Sequence, residues 1–324
     1  MTCWVITDGK AGMENQCLGL AEALEADVVV KRVHLRNPWR RLSPYLHLGA
    51  RFAADTGGDP IAPPWPEIAI GCGRQAIPPL IAIRQASRGR CFTIYLQDPR
   101  ISARHFDLVV PPEHDRLRGP NVVTTRGALH RVTPAVLAAA AERFAPSLSA
   151  LPHPRVAVLI GGSSAAYHLT PIIMGDVADR LTALAQAGAG LMVTTSRRTG
   201  ADNTAILRAR LDGQENVAFW DGTGENPYFA YLGLADAIVV TCDSTNMVSE
   251  ACSTGKPVHV IELEGGTPKF RRFLDGLYGA GLARPFTGVL ESWRYEPLNE
   301  PARIAAEVRR RMATRPGELP QTTV

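Results

Sequence analysis

V-V-T-C-D-S-T-N-M-V-S-E-A-C-S-T-G-K-P-V-H-V-I-E, Val239 to Glu262, holds one complete strand–helix–strand unit. Ile238–Val240 form an apolar strand, Asp243 or Ser244 caps a helix running to about Ser253, Gly255 stops it, and Pro257 opens a second apolar strand. Ser244 and Glu250 are then two ends of one short device. The helix start offers unpaired N–H groups, the positive end of a dipole and the Ser244 and Thr245 hydroxyls, with Asn246 in the same turn, a combination that suits phosphate. Six residues on, the Glu250 carboxylate stands where it can accept hydrogen bonds from a ribose diol. The same residues also fit an ordinary αβ unit with Glu250 as a solvated helix residue. A P-loop is disfavoured, because A-C-S-T-G-K-P lacks the upstream glycine and a Ser or Thr after Lys256.

Outward from this unit, strands and helices alternate in two series. Strands are expected at 3–7, 28–33, 67–70, 91–96, 108–110 and 122–124, with helices near 14–24, 75–85 and 134–144. After a Pro-rich linker, S-L-S-A-L-P-H-P at 147–154, further strands are expected at 156–160, 190–194, 216–220, 237–240 and 258–261. Helices near 171–187, 203–211, 227–234, 244–253, 270–277 and 301–312 accompany them. Each series opens with a strand running into a glycine-bearing loop, D-G-K-A-G-M-E-N at 8–15 and G-G-S-S at 161–164. The expected fold is α/β with two Rossmann-like domains, 1–150 and 151–324, facing a central cleft.

The 324 residues, 45% of them hydrophobic and 20% charged, suffice for two cores. The surplus of 35 Lys and Arg over 31 Asp and Glu gives a net charge of +4, too slight to argue for a nucleic-acid partner. The six cysteines are scattered without a C-x-x-C pair and histidines are not clustered, so reduced buried thiols in a cytoplasmic protein are expected, with no zinc site. The N-terminus runs directly into a strand, and no apolar run is long enough to span a bilayer.

The Ser244-to-Glu250 spacing resembles the nucleotide-binding helix of the GT-B glycosyltransferase superfamily and of the UDP-sugar 2-epimerases. Together with T-T-S-R-R-T-G at 194–200 and K-F-R-R-F at 269–273, it makes the chain similar to bacterial members of the elongated-mitochondria (mitochondrial fission factor) family. The resemblance implies a GT-B-like fold whose C-terminal helix crosses back to the first domain. It also implies a nucleotide-sugar donor, UDP-sugar by preference, as substrate with no cofactor. In the second domain Gly161, Gly162 and Ser163, then Ser196 and Arg197 or its neighbour Arg198, end strands beside Ser244 and are expected to meet the diphosphate. The loop D-G-T-G-E-N-P-Y at 221–228 is similar to the one that holds the base through backbone groups.

In the first domain the loop after the first strand resembles the acceptor loop of inverting transferases. Glu14 is the preferred catalytic base and Asp8 the second choice, with Lys10, Arg74, Asp98 and His114 as acceptor-side groups; each also has an ordinary structural reading. No D-x-D pair ends a second-domain strand, so no metal is expected. Between Val28 and Ala54 there is no acidic residue, while Lys31, Arg32, Arg36, Arg40, Arg41 and Arg51 stand among Trp39, Leu42, Tyr45, Leu46 and Phe52. N-P-W-R-R-L and S-P-Y-L-H-L-G-A-R-F read as two short helices that either pack on the first sheet or lie on an anionic membrane. Three functions remain open on these residues. The first is a nucleotide-sugar-dependent glycosyltransferase acting on a hydroxyl, including a lipid-linked one at the inner membrane. The second is a nucleotide-sugar epimerase or hydrolase, and the third a non-catalytic adaptor of the same shape.

Overall fold

The computed structural model describes residues 1–46, 49–53, 55 and 57–315. It divides into two compact units. Unit 1 comprises Met1–Thr125, Leu129–Arg131 and the chain from Asn299 onward; unit 2 comprises Arg126–Ala128 and Val132–Leu298.

Unit 1 is built on a parallel sheet of β1 (Thr2–Thr7), β2 (Asp27–Arg32), β3 (Ile68–Cys72), β4 (Phe92–Leu96) and β5 (Leu108–Val110), in the order β2-β1-β3-β4-β5. The inner strands are continuous apolar runs because both faces are covered. Cys3, Val5, Ile68, Ile70, Phe92 and Ile94 pack on one side; Trp4, Ile6, Ala69 and Tyr95, the alternate residues, pack on the other. α1 (Ala11–Ala23) follows β1, while α2 (Trp39–Leu42) and α3 (Ile77–Ala86) serve the later crossovers.

Unit 2 begins with α4 (Pro134–Leu148), followed by β6 (Arg155–Ile160), β7 (Tyr167–His168), α5 (Pro171–Gln186), β8 (Gly190–Thr195) and α6 (Ala201–Leu211). It continues through β9 (Val217–Trp220), α7 (Tyr228–Leu234), β10 (Ala237–Thr241), α8 (Thr245–Cys252), β11 (Val258–Ile261), β12 (Glu264–Gly265), α9 (Pro268–Gly279) and β13 (Arg284–Pro285). Its parallel sheet is ordered β13-β11-β10-β6-β8-β9, and β7 pairs antiparallel with β12 to make a separate two-stranded ribbon. The chain winds outward from β6 in one direction and returns from β10 in the other. The switch point therefore lies between β6 and β10, where open α/β sheets leave a crevice at their carboxyl ends.

Three expectations change. The division does not fall at residue 150: α4 extends through Pro146 into the expected linker and belongs to unit 2, packing on α7, whereas the last helix, α10 (Glu300–Ala313), belongs to unit 1. Ile304, Ala305 and Val308 of α10 join the core beneath α1. Val122–Thr124 is not a strand; Val122 and Thr125 make single bridges to Val109 and Pro112. Among the described residues, the basic aromatic segment holds one turn of α-helix at Trp39–Leu42 and one 3-10 turn at Ala50–Phe52 in place of the two expected helices. His47, Leu48 and Ala54 of that segment lie outside the described residues. The six cysteines are buried and none is in a disulfide. Among the described residues, no helix is long and apolar enough to cross a membrane.

Candidate functional site

α8 starts one turn beyond the switch point. Ser244, in extended conformation, caps it by accepting from the Met247 N–H at 3.3 Å. Glu250 lies about 9 Å further along the axis and is only 8% exposed, so it is not a solvated helix residue. The Tyr228 hydroxyl, at the start of α7, donates to Glu250 Oε2 at 2.5 Å. Burial pushes the Glu250 carboxyl up to about 7, against the opposing pull of that hydrogen bond, and burial beside Glu250 raises Tyr228 as well. A buried carboxylate with a raised pKa beyond the carboxyl end of a switch-point strand makes Glu250 a candidate functional group.

The glycine loop after β6 does different work from that expected of it. The Gly161 N–H donates to Thr241 Oγ1 at 2.7 Å and the Gly162 N–H to Asp243 Oδ2 at 3.1 Å. The Ser163 N–H donates to the Arg198 carbonyl at 3.2 Å, and its hydroxyl accepts from the Leu169 N–H at 3.0 Å. These amides are satisfied within the protein and do not form an open phosphate nest. The glycines are required by close packing instead. A Cβ at 161 would lie 2.1 Å from Asp243 Oδ1, and one at 162 would lie 2.0 Å from the Arg198 carbonyl oxygen.

Gly162→Ala is accordingly expected to push the β6 and β8 loops apart at a cost of about 1–3 kcal/mol, roughly 2–12 °C in the melting temperature of a unit this size. Gly175→Ala, on α5 where nothing lies within 4 Å of the added carbon, is the matched control and should melt no lower than wild type by circular dichroism.

The loop after β8 brings Arg198 to the same place. Its Nη2 lies 2.6 Å from Asp243 Oδ2, whose side chain is fully buried. Ser196 accepts from the Arg198 N–H through its hydroxyl at 3.1 Å, while Arg197 is exposed. Gly161, Gly162, Ser163, Ser196, Arg198, Asp243 and Ser244 thus come together at one switch point, with Thr245 and Asn246 in the first turn of α8.

In unit 1, Asp8 pairs with Lys10 Nζ at 2.6 Å. The N-cap of α1 is Lys10, without a side-chain cap. Glu14, in the first turn, meets Arg32 at 3.4 Å through Oε1, and its Oε2 is buried without a hydrogen-bond partner. The other acceptor-side candidates also follow strand ends. Arg74 is exposed on the turn after β3, Asp98 accepts from the Arg100 N–H at 2.8 Å after β4, and His114 is buried on the turn after β5.

Comparison with known proteins places this architecture. The family described as Mitochondrial fission ELM1 matches residues 11–312. The chain belongs to that family. Over 276 residues it is 34% identical to the Arabidopsis thaliana protein named Mitochondrial fission protein ELM1, an alignment covering 77% of this chain and 65% of the plant protein. The family member described here therefore spans less than two thirds of the length of its plant relative. Among solved structures, the UDP-GlcNAc 2-epimerase of Methanocaldococcus jannaschii superposes with a TM-score of 0.58 at 11% identity, over 96% of this chain and 100% of the other. Os79 from O. sativa, solved in complex with UDP, superposes with a TM-score of 0.53 at 11% identity, over 96% and 91%. At such identities the likeness is one of fold, and the ELM1-family chain has the GT-B-like fold.

Two residues of the candidate site had no side-chain role assigned to them from sequence. Tyr228 closes the 221–228 loop expected to hold the base through backbone groups, but it stands 22 positions from Glu250, and no local spacing connects an α7 tyrosine with an α8 carboxylate. Asp243 was visible only as an alternative cap; its position before the capping serine was the one available signal.

Proposed function

We propose that unit 2 binds a nucleoside diphosphate sugar, a UDP-sugar by preference, and that the protein transfers the sugar to a hydroxyl acceptor with inversion and without a metal. The observation that carries this reading is the pairing on one helix of a capped, phosphate-compatible N-terminus with a buried carboxylate six residues on. Glu250 has lost solvation and, among the described residues, gained the one neutral donor of Tyr228 in return, a cost that a ribose diol would repay through two further O–H donors. At the other end, the first-turn amides of α8 and the Arg198 guanidinium supply the positive field that a diphosphate needs.

In this reading unit 1 handles the acceptor. Glu14 is the base, because its Oε2 is an acceptor without a hydrogen bond, whereas Asp8 is held by Lys10. The acceptor is lipid-linked and the protein peripheral on an anionic membrane. Of the large apolar residues that are exposed, Leu42, Tyr45 and Phe52 all fall in the acid-free basic segment. The Arg36 guanidinium lies 5.9 Å from the Trp39 ring centroid and that of Arg51 lies 4.6 Å from the Phe52 ring centroid, a mixture of apolar and cationic groups suited to a headgroup layer.

The test is a panel of UDP, GDP, CMP and ADP by thermal shift, followed by calorimetry. UDP is expected to raise the melting temperature and saturate, since a ligand bound only by the folded state stabilises it by mass action. No shift with any nucleotide would remove the transferase and epimerase readings together and leave an adaptor.

A further inference from the structure

We propose that Asp243 is the positioning residue of the phosphate end of this site, holding Arg198 in the orientation in which it meets the diphosphate. The inference rests on the nucleotide reading above. Its basis is an electrostatic oddity: a carboxylate with a fully buried side chain stands directly before the capping serine, where an anionic ligand is to bind. Its Oδ2 accepts from the Gly162 N–H at 3.1 Å and is ion-paired with Arg198 Nη2 at 2.6 Å, while its buried Oδ1 has no hydrogen-bond partner. Burying an incompletely satisfied carboxylate is unfavourable, and its charge also repels phosphate. A neutral acceptor would satisfy the Gly162 amide without either penalty. What a carboxylate adds is an ionic grip on a guanidinium.

That grip is selective. The Arg198 side chain is 43% exposed, and an arginine so placed would lose much rotamer freedom on binding a ligand. Here that freedom is restricted beforehand. The backbone of Arg198 is held through its N–H by Ser196 and through its carbonyl by Ser163, its side chain by Asp243, and the absence of a Cβ at Gly162 permits the approach. The contact uses Nη2, one nitrogen of a fork that carries five N–H donors. The adjacent Arg197, at the same strand end, has no such carboxylate anchor among the described ion pairs.

Asp243→Asn retains an oxygen for the Gly162 amide but not the charge that fixes Arg198. Calorimetry with UDP, and ligand-observed NMR with uridine, which has no phosphate, separate positioning from general loop support. Asp243→Asn is expected to weaken UDP roughly tenfold and leave uridine unchanged. Arg198→Ala should do the same, and the double variant should be no weaker than either single one, since both remove one contact. UDP binding by Asp243→Asn as tight as or tighter than wild type, an equal loss for uridine, or additive losses in the double variant would overturn the proposal. Should Asp243→Asn not fold, Arg198→Ala decides, because an exposed side chain is removed; retention of full UDP affinity there defeats the inference. Wild-type protein that binds neither UDP nor uridine would defeat both the proposed function and this inference. Wild-type binding with an indifferent Asp243→Asn defeats only the latter.

Discussion

Replacing Glu250 with alanine is expected to weaken UDP binding by roughly tenfold to more than a hundredfold, the loss of about 1.5–3 kcal/mol that follows removal of a hydrogen bond to a charged group. The protein should remain folded, because the lost carboxylate is itself expensively buried. The effect carries a pH signature. Ribose hydroxyls donate, so they favour the ionised carboxylate, and with the free group pushed up to about 7 affinity should rise as pH increases from 6 to 8 and then level. Binding should release protons over that range. The sign for stability is opposite. A carboxyl whose folded pKa lies above its unfolded value of 4.5 makes the unliganded protein lose stability as pH rises from about 4.5 to 7, since the folded state then holds more protons than the unfolded one. Calorimetry at several pH values in buffers of differing ionisation enthalpy measures both the affinity and the proton count. Unchanged affinity in Glu250→Ala would remove the ribose role.

Reversing two charges on the basic segment should have an effect at least as large on a different property. Arg40→Glu with Arg41→Glu is expected to abolish binding to vesicles containing anionic lipid. Each exposed arginine contributes about 1 kcal/mol near such a surface and each new carboxylate opposes it by a similar amount, so the sum is about 4 kcal/mol, roughly a thousandfold. Arg40 and Arg41 are exposed on α2 and neither belongs to the unit 1 core, so the melting temperature should hold. UDP affinity should also hold, because Ser244, Glu250 and Arg198 all lie in unit 2. Flotation with phosphatidylserine vesicles at low and high salt is the measurement. Wild-type protein that ignores such vesicles at low salt would return Trp39 and Phe52 to a packing role and favour a soluble acceptor.

Much of the architecture was legible because it is written in local chemistry. Parallel strands buried on both faces must be apolar runs, so Ile68–Cys72, Phe92–Leu96, Arg155–Ile160 and Ala237–Thr241 were found within a residue or two. A cap and a stop signal bounded α8 similarly, α5 and α9 were found within two residues at each end, and Ser244 was correctly placed at a helix start because capping is decided within four residues.

What escaped was whatever depends on residues distant in the chain. α4 reads as the end of the first half, yet its contacts with α7 place it in unit 2, and α10 completes the core under α1 from the far end of the sequence. The basic segment has helix-opening prolines, but among its described residues it forms only one α-helical turn and one 3-10 turn. Gly161 and Gly162 were expected to let backbone approach a diphosphate; only the fold decided that the close neighbours are Asp243 and the Arg198 carbonyl and that the amides are already bonded. The sequence alone therefore determined the α/β class, the two series of strands and the six-residue spacing of Ser244 and Glu250 on α8, because periodicity, capping and spacing are local. Tertiary structure decided the burial of Glu250 against Tyr228 and the convergence of three loops on Asp243, because burial and long-range hydrogen bonds exist only once the strands have taken their order in the sheet.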